Sequence, residues 1–155
     1  MKLQFSGSPE VRAPKHIVWH RLVDPRFVAG SAPGVESVEV IDATHFRVIC
    51  GFGPRGMKAR ITLDGELFDL VPGVSAKMRL RGNGPGSLIE VLSTISVRDA
   101  GAGKVRLEWT ATSELTGALA NVGARLLESV ARTMTEQFWD DFAQRVGKEE
   151  MRAEA

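Results

Sequence analysis

The chain has 155 residues, 43% of them hydrophobic and 25% charged, with 20 Lys and Arg set against 19 Asp and Glu. A chain of that size and balance folds as one soluble domain burying roughly two-thirds of its unfolded surface, which excludes a disordered tail or a disulfide-stapled miniprotein. The formal charge is +1 and the basic residues are scattered among acids, so nucleic acid is not an expected partner.

Cys50 is the single cysteine and has no partner within the chain. The start, Met1-Lys2-Leu3-Gln4-Phe5-Ser6-Gly7, lacks the apolar run of a secretory signal. The expected compartment is therefore the cytoplasm. No stretch reaches the ~18–20 apolar residues of a membrane-spanning helix, so any membrane encounter is expected to be peripheral.

In chain order, Leu3 to Gly7 alternates apolar with polar and Val11 and Ala13 resume after Pro9, which predicts a first strand interrupted by the proline. From Pro14 to Val23 the period changes: Ile17, Val18, Arg21 and Leu22 recur at helical spacing, with Trp19 close by. Asp24-Pro25 then offers a cap and a first-turn proline for a second short helix ending near Gly30, and Ala32-Pro33-Gly34 forces a turn.

Between Val35 and Thr112 the pattern is period two, broken by turn-prone residues such as Asp42-Ala43-Thr44, Pro72-Gly73 and Asp99-Ala100-Gly101. This predicts an antiparallel meander of about six strands. Phe46, Val48, Cys50 and Phe52 make one inward row, Val74, Ala76, Met78 and Leu80 a second, and Val105, Leu107, Trp109 and Ala111 a third. For the strand near residue 90 we choose the register that turns Ile89, Val91, Ile95 and Val97 inward, since it buries more large apolar groups than the one using Leu88, Glu90, Leu92 and Thr94.

From about Leu115 to Val146 there is no proline, and Leu119, Val122, Leu126, Val130, Met134, Phe138, Phe142 and Val146 mark one winding apolar stripe. A helix of roughly 30 residues is about 45 Å long and must lie along the apolar face of the sheet. The expected fold is α+β, a curved sheet of about seven strands wrapped around a long C-terminal helix, in a single domain over 1–147 with a frayed tail over 148–155.

The ordered set Phe5-Ser6-Gly7, Ala13-Pro14 leading to Val18-Trp19, Leu22-Val23-Asp24-Pro25, Ala32-Pro33-Gly34-Val35-Glu36-Ser37, Thr116-Gly117-Ala118-Leu119-Ala120 and Gly123-Ala124-Arg125-Leu126-Leu127-Glu128 resembles the CoxG family, the accessory proteins of aerobic carbon monoxide dehydrogenases. That family is a branch of the START and Bet v 1-like (SRPBCC) superfamily. The resemblance spans nearly the whole chain and implies a helix-grip fold with a hydrophobic cavity. It also implies a part in maturing a carbon monoxide dehydrogenase-type molybdenum hydroxylase, or in coupling it to the inner face of the membrane and a quinone pool.

Candidate chemistry is sparse. His16 and His20 lie four apart, but Ile17, Val18 and Trp19 between them supply no catalytic glutamate and no third ligand is evident, so a solvated helix face is expected and no metal. Cys50 sits in an inward row, a setting that makes a thiol inert, and His45 is an odd number of residues away, on the opposite face. Gly51 to Gly56 lacks the Lys-Ser/Thr ending of a phosphate loop and precedes a strand, so it and Gly82-Asn83-Gly84-Pro85-Gly86 are read as hairpin turns. Lys77, Arg79 and Arg81, with Lys58 and Arg60, are read as a solvated outer face, the competing reading being a dock for an acidic partner or anionic lipid.

Large side chains interrupted by Ala76, Ala111 and Gly123, beneath a long helix on a bent sheet, leave a gap that the lining does not fill. The candidate ligand-binding residues are Phe46, Val48, Phe52, Ile61, Met78, Leu80 and Trp109 from the sheet and Val122, Leu126, Val130 and Met134 from the helix. The expected function is noncatalytic binding of a small lipid-like ligand, a quinone among the candidates, with no covalent or metal cofactor. A polyketide cyclase or dehydratase using the same cavity, and a ligand-free interaction module, are the competing readings; the chain has no tyrosine to serve the former.

Overall fold

A computed structural model of the chain describes residues 2–32, 34–52, 59–84, 86–117 and 124–154, apart from the side chains of Phe52, Ala59, 124–127, Val130 and Glu154. Strand β1 (Lys2–Gly7) turns Leu3 and Phe5 inward, and β2 (Glu10–Val11) resumes the same face with Val11. Both pair antiparallel with β8 (Lys104–Gly117). Pro9 has no N–H for the ladder, but its carbonyl accepts from Leu107 N at 3.0 Å, so the interrupted strand stays on its partner. What the sequence reading counted as one strand is thus two.

Helix α1 (Lys15–Leu22) follows Pro14 and buries Val18 and Leu22. In α2 (Pro25–Ala29) the Asp24 carboxylate accepts from Arg26 N at 3.1 Å and Pro25 occupies the first turn, so the chain caps and restarts within two residues. Phe27, Val28 and Ala29 are buried by it.

The meander consists of β3 (Val35–Val40), β4 (His45–Phe52), β5 (Ala59–Val71), β6 (Ser75–Gly84), β7 (Ser87–Gly101) and β8, each antiparallel to the next. The eight-stranded sheet runs β1-β8-β7-β6-β5-β4-β3, with β2 beside β8. In β7 the chosen register holds: Ile95 and Val97 are buried, whereas Leu88 is 60% and Leu92 43% exposed.

The end of β8 differs from the sequence reading. Leu115, placed at the start of the long helix, is in β8 opposite Ile89, because Ser113 and Leu115 continue the inward alternation of Val105 to Ala111. The strand ends at Gly117, whose φ of +87° suits a residue with no side chain.

The outer face of the sheet carries its charge in pairs. Arg47 meets Asp64 at 2.8 Å, Arg60 meets Glu36 at 3.0 Å, Lys77 meets Asp69 at 3.3 Å, Arg79 meets Glu66 at 3.3 Å and Arg81 meets Glu90 at 3.7 Å. The basic stripe Lys77-Arg79-Arg81 is therefore a neutralised, solvated face; Lys58 lies outside the described residues. These pairs are exposed and screened by solvent, so each adds little to stability.

Helix α3 (Ala124–Glu154) has 31 residues, about 46 Å at 1.5 Å per residue. It continues through Glu154, where a frayed tail was expected from residue 148; Lys148 to Glu154 are good helix formers, and Glu149 meets Arg21 of α1 at 3.0 Å. Its C-terminal half is clamped on the core. Trp139, 1% exposed, stacks on Trp109 at 6.1 Å between centroids and meets Phe138 and Phe142 edge-on at 4.8 and 5.8 Å. Phe142 meets Phe27 at 5.5 Å. Arg145 donates to Phe27 O at 2.9 Å and to Ser31 Oγ at 2.7 Å, its guanidinium 4.0 Å above the Phe27 ring, which ties α3 to α2.

Candidate functional site

The N-terminal half of α3 is not packed down in the same way. Between it and strands β4 to β8 lies a cavity of about 230 Å³. For scale, a dry engineered cavity of about 150 Å³ holds a benzene molecule, so this one has room for a fused two-ring body.

Its walls follow from the inward rows. From β4 come Phe46, Val48 and Cys50, from β5 Ile61 and Leu63, and from β6 Met78 and Leu80. Phe46 can lie over the next strand because its partner there is Gly65; a methyl group at that position would collide with the ring. Ile89, Val91 and Ser93 of β7 and Ser113 and Leu115 of β8 complete the sheet side. Helix α3 contributes Ala131, Met134, Thr135, Phe138 and Trp139, and the short Ala29 and Ala32 close the α2 end.

Six of the candidate residues, Phe46, Val48, Ile61, Met78, Leu80 and Met134, meet in this one wall. Trp109 does not: its ring lies in the packed core, stacked on Trp139, which itself forms part of the wall. Val122 and the side chains of Phe52, Leu126 and Val130 lie outside the described residues. Sequence reasoning missed Trp139, Ala131 and the two serines. The stripe follows one row at steps of four, Val130-Met134-Phe138, and so passes over the parallel row one residue on, Ala131-Thr135-Trp139, which lines the same wall; the serines were hidden inside rows judged by their large apolar members.

Electrostatically the wall is close to blank. Among the described lining residues there is no Asp, Glu, His, Lys or Arg, and the hydroxyl groups are those of Ser93, Ser113 and Thr135. The Thr135 hydroxyl already donates to Ala131 O at 2.7 Å. Glu90 points outward to Arg81, and His45 is half exposed on the outer face, its Nδ1 2.8 Å from Asp42 Oδ1. His16 and His20 are both exposed, and no group of three His, Cys, Asp or Glu that could hold a metal occurs among the described residues.

Burial pushes the Cys50 thiol up, with a smaller push from Glu36. At a given pH it therefore holds less of the reactive thiolate than a free cysteine does. Modification by N-ethylmaleimide at neutral pH is expected to run well below the rate of a peptide thiol and to accelerate only toward alkaline pH. Saturating the cavity with an apolar ligand should slow it about tenfold further. A time course by intact-mass spectrometry checks this; equal rates with and without ligand would place the ligand elsewhere.

A bent antiparallel sheet closed by a long C-terminal helix over an apolar hollow defines the START/Bet v 1-like helix-grip class. A solved protein from Geobacillus kaustophilus shares the fold with a TM-score of 0.83, at 23% identity over 94% of this chain and 96% of that one. The chain belongs to the CoxG family of carbon monoxide dehydrogenase subunits, whose model matches residues 7–147. The Zhui aromatase/cyclase of Streptomyces sp. R1128 is similar at TM-score 0.70 and 16% identity, covering 100% of this chain and 97% of that one. A START superfamily protein of Mycobacterium smegmatis is similar at 0.68 and 12%, covering 94% and 97%. No curated protein matches the chain by sequence.

Proposed function

We propose that the protein is a noncatalytic carrier that holds a small lipid-like molecule, a quinone among the candidates, in the cavity beneath α3. The observation that carries this is the wall itself: a hollow large enough for two fused rings, lined almost wholly by carbon. General acid–base work needs a titratable group within reach of the substrate, and the described wall supplies only the weakly acidic Cys50. Binding of an apolar body needs none.

The energetics suit a carrier. A ligand burying ~400 Å² of apolar surface gains about 10 kcal/mol before ordering costs, while a bilayer offers nearly the same, so transfer in either direction is close to balanced. The family's name supports a carbon monoxide dehydrogenase-type enzyme as the partner served; exchange at the inner face of the membrane is part of the same proposal. No described helix is long and apolar enough to cross a membrane, so that contact is read as peripheral.

Native mass spectrometry of the purified protein before and after organic extraction tests the reading. The expected result is an adduct of lipid-like mass that extraction removes and that returns on incubation with vesicles carrying it. Repeated absence of any adduct, together with failure to bind an apolar fluorescent probe, would leave a ligand-free interaction module instead.

A further inference from the structure

The polar content of the wall is small but placed. Ser93 of β7 is 3% exposed and Ser113 of β8 is 6% exposed, and both line the cavity. In the β7–β8 register Ser93 stands opposite Ala111 and Ser113 opposite Val91, so the two serines are diagonal neighbours on the inward face. Among the described residues neither hydroxyl has a hydrogen-bonding partner, and neither is sealed away from the void. Thr135 is different, since its hydroxyl is spent on the helix backbone.

An inward strand position is ordinarily filled by an apolar side chain such as the Val91 and Ile95 that flank Ser93, whereas these hydroxyls open on an apolar void where no described protein group satisfies them. Two such hydroxyls side by side are the signature of a ligand that completes their bonding. Resting on the carrier reading above, we propose that Ser93 and Ser113 form a polar anchor for the head of the ligand, and that the head is a neutral carbonyl.

The distances allow it. Diagonal neighbours across an antiparallel pair are about 7–8 Å apart at Cα and closer at the side chains. One oxygen accepting bonds of about 2.8 Å from two donors spans at most about 5–6 Å, and a carbonyl oxygen has the two lone pairs required. Charge rules out the obvious rivals. A carboxylate or ammonium head would enter a wall with no counter-charge among the described residues, and its desolvation would go unrecovered. The rest of the ligand is apolar, because everything else it touches is.

Three probes of nearly equal shape separate these claims: 2-acetylnaphthalene, 2-isopropylnaphthalene and 2-naphthoate, each measured by displacement of an apolar fluorescent dye at neutral pH. Wild type is expected to bind the ketone roughly tenfold tighter than the hydrocarbon and to bind naphthoate weakest. In the Ser93→Ala, Ser113→Ala double variant the hydrocarbon should bind at least as well as before, with its disadvantage against the ketone gone. Each single variant should lose about threefold of the preference, which keeps the test open if the double variant folds poorly. A double variant that retains the ketone preference, or loses ketone and hydrocarbon equally, overturns the anchor while leaving the carrier standing. Naphthoate as the tightest ligand overturns it in favour of an anion site. Failure of all three to bind wild type defeats the carrier reading, and the anchor with it.

Discussion

Replacing Ala131 by Trp is expected to weaken binding of an apolar probe by at least about a hundredfold while changing the free energy of unfolding by less than about 1 kcal/mol. Ala131 stands on the face of α3 that looks into the cavity, half-buried, one helical turn before Met134 and Thr135. An indole added there enters space the sheet leaves unfilled, so it displaces ligand, not protein. In a packed core the same change would force off-rotamer neighbours and lower stability by about 1–3 kcal/mol. Chemical denaturation and probe titration on one preparation distinguish the two. A variant that is strongly destabilised yet still binds the probe would mean that Ala131 faces packed protein.

Trp139→Ala, two helical turns further on, should behave in the opposite way. It is expected to lower stability by about 3–5 kcal/mol, roughly 6–20 °C in Tm for a chain of this length. Trp139 is 1% exposed and holds together the stack with Trp109 and the edge contacts of Phe138 and Phe142. Its loss opens a cavity beside one that already exists, so the helix end has few means of collapsing into the gap. Phe142→Ala should show a similar cost, since that ring links the stack to Phe27 of α2. A loss of less than about 1 kcal/mol for Trp139→Ala would mean the C-terminal half of α3 is not the anchor described above.

Most of the architecture was legible because each element announces its own period. The rows through Phe46-Val48-Cys50 and Val105 to Ala111, the β7 register and the Asp24-Pro25 restart follow from local rules and hold, whereas the middle row begins only at Ala76: Val74, expected inward, is 51% exposed in the turn before β6, because the strand's alternation starts at Ser75. The end of β8 was not legible, because Ser113 is polar and a reader judging by hydrophobicity stops at Thr112. Only the pairing of Leu115 with Ile89 shows that the alternation continues. The cavity wall was half legible. Side chains on the expected rows meet there, but Trp109 was assigned to the hollow on the strength of its strand face alone. Position along the strand decides that question: Trp109 pairs with Gly7 of β1, toward the clamped end of α3, whereas Ser113 and Leu115 lie toward the hollow end. A period-two pattern tells which face a residue takes, not how far along the sheet the helix stays in contact.

The paired charges on the outside of the sheet have a consequence for how this molecule meets others. Opposite charges a few ångströms apart cancel at long range, and whatever field remains fades over the Debye length, about 8 Å at physiological ionic strength. This face therefore offers little steering toward an anionic surface, and the rate at which the protein encounters vesicles rich in acidic lipid should be nearly flat as salt is raised.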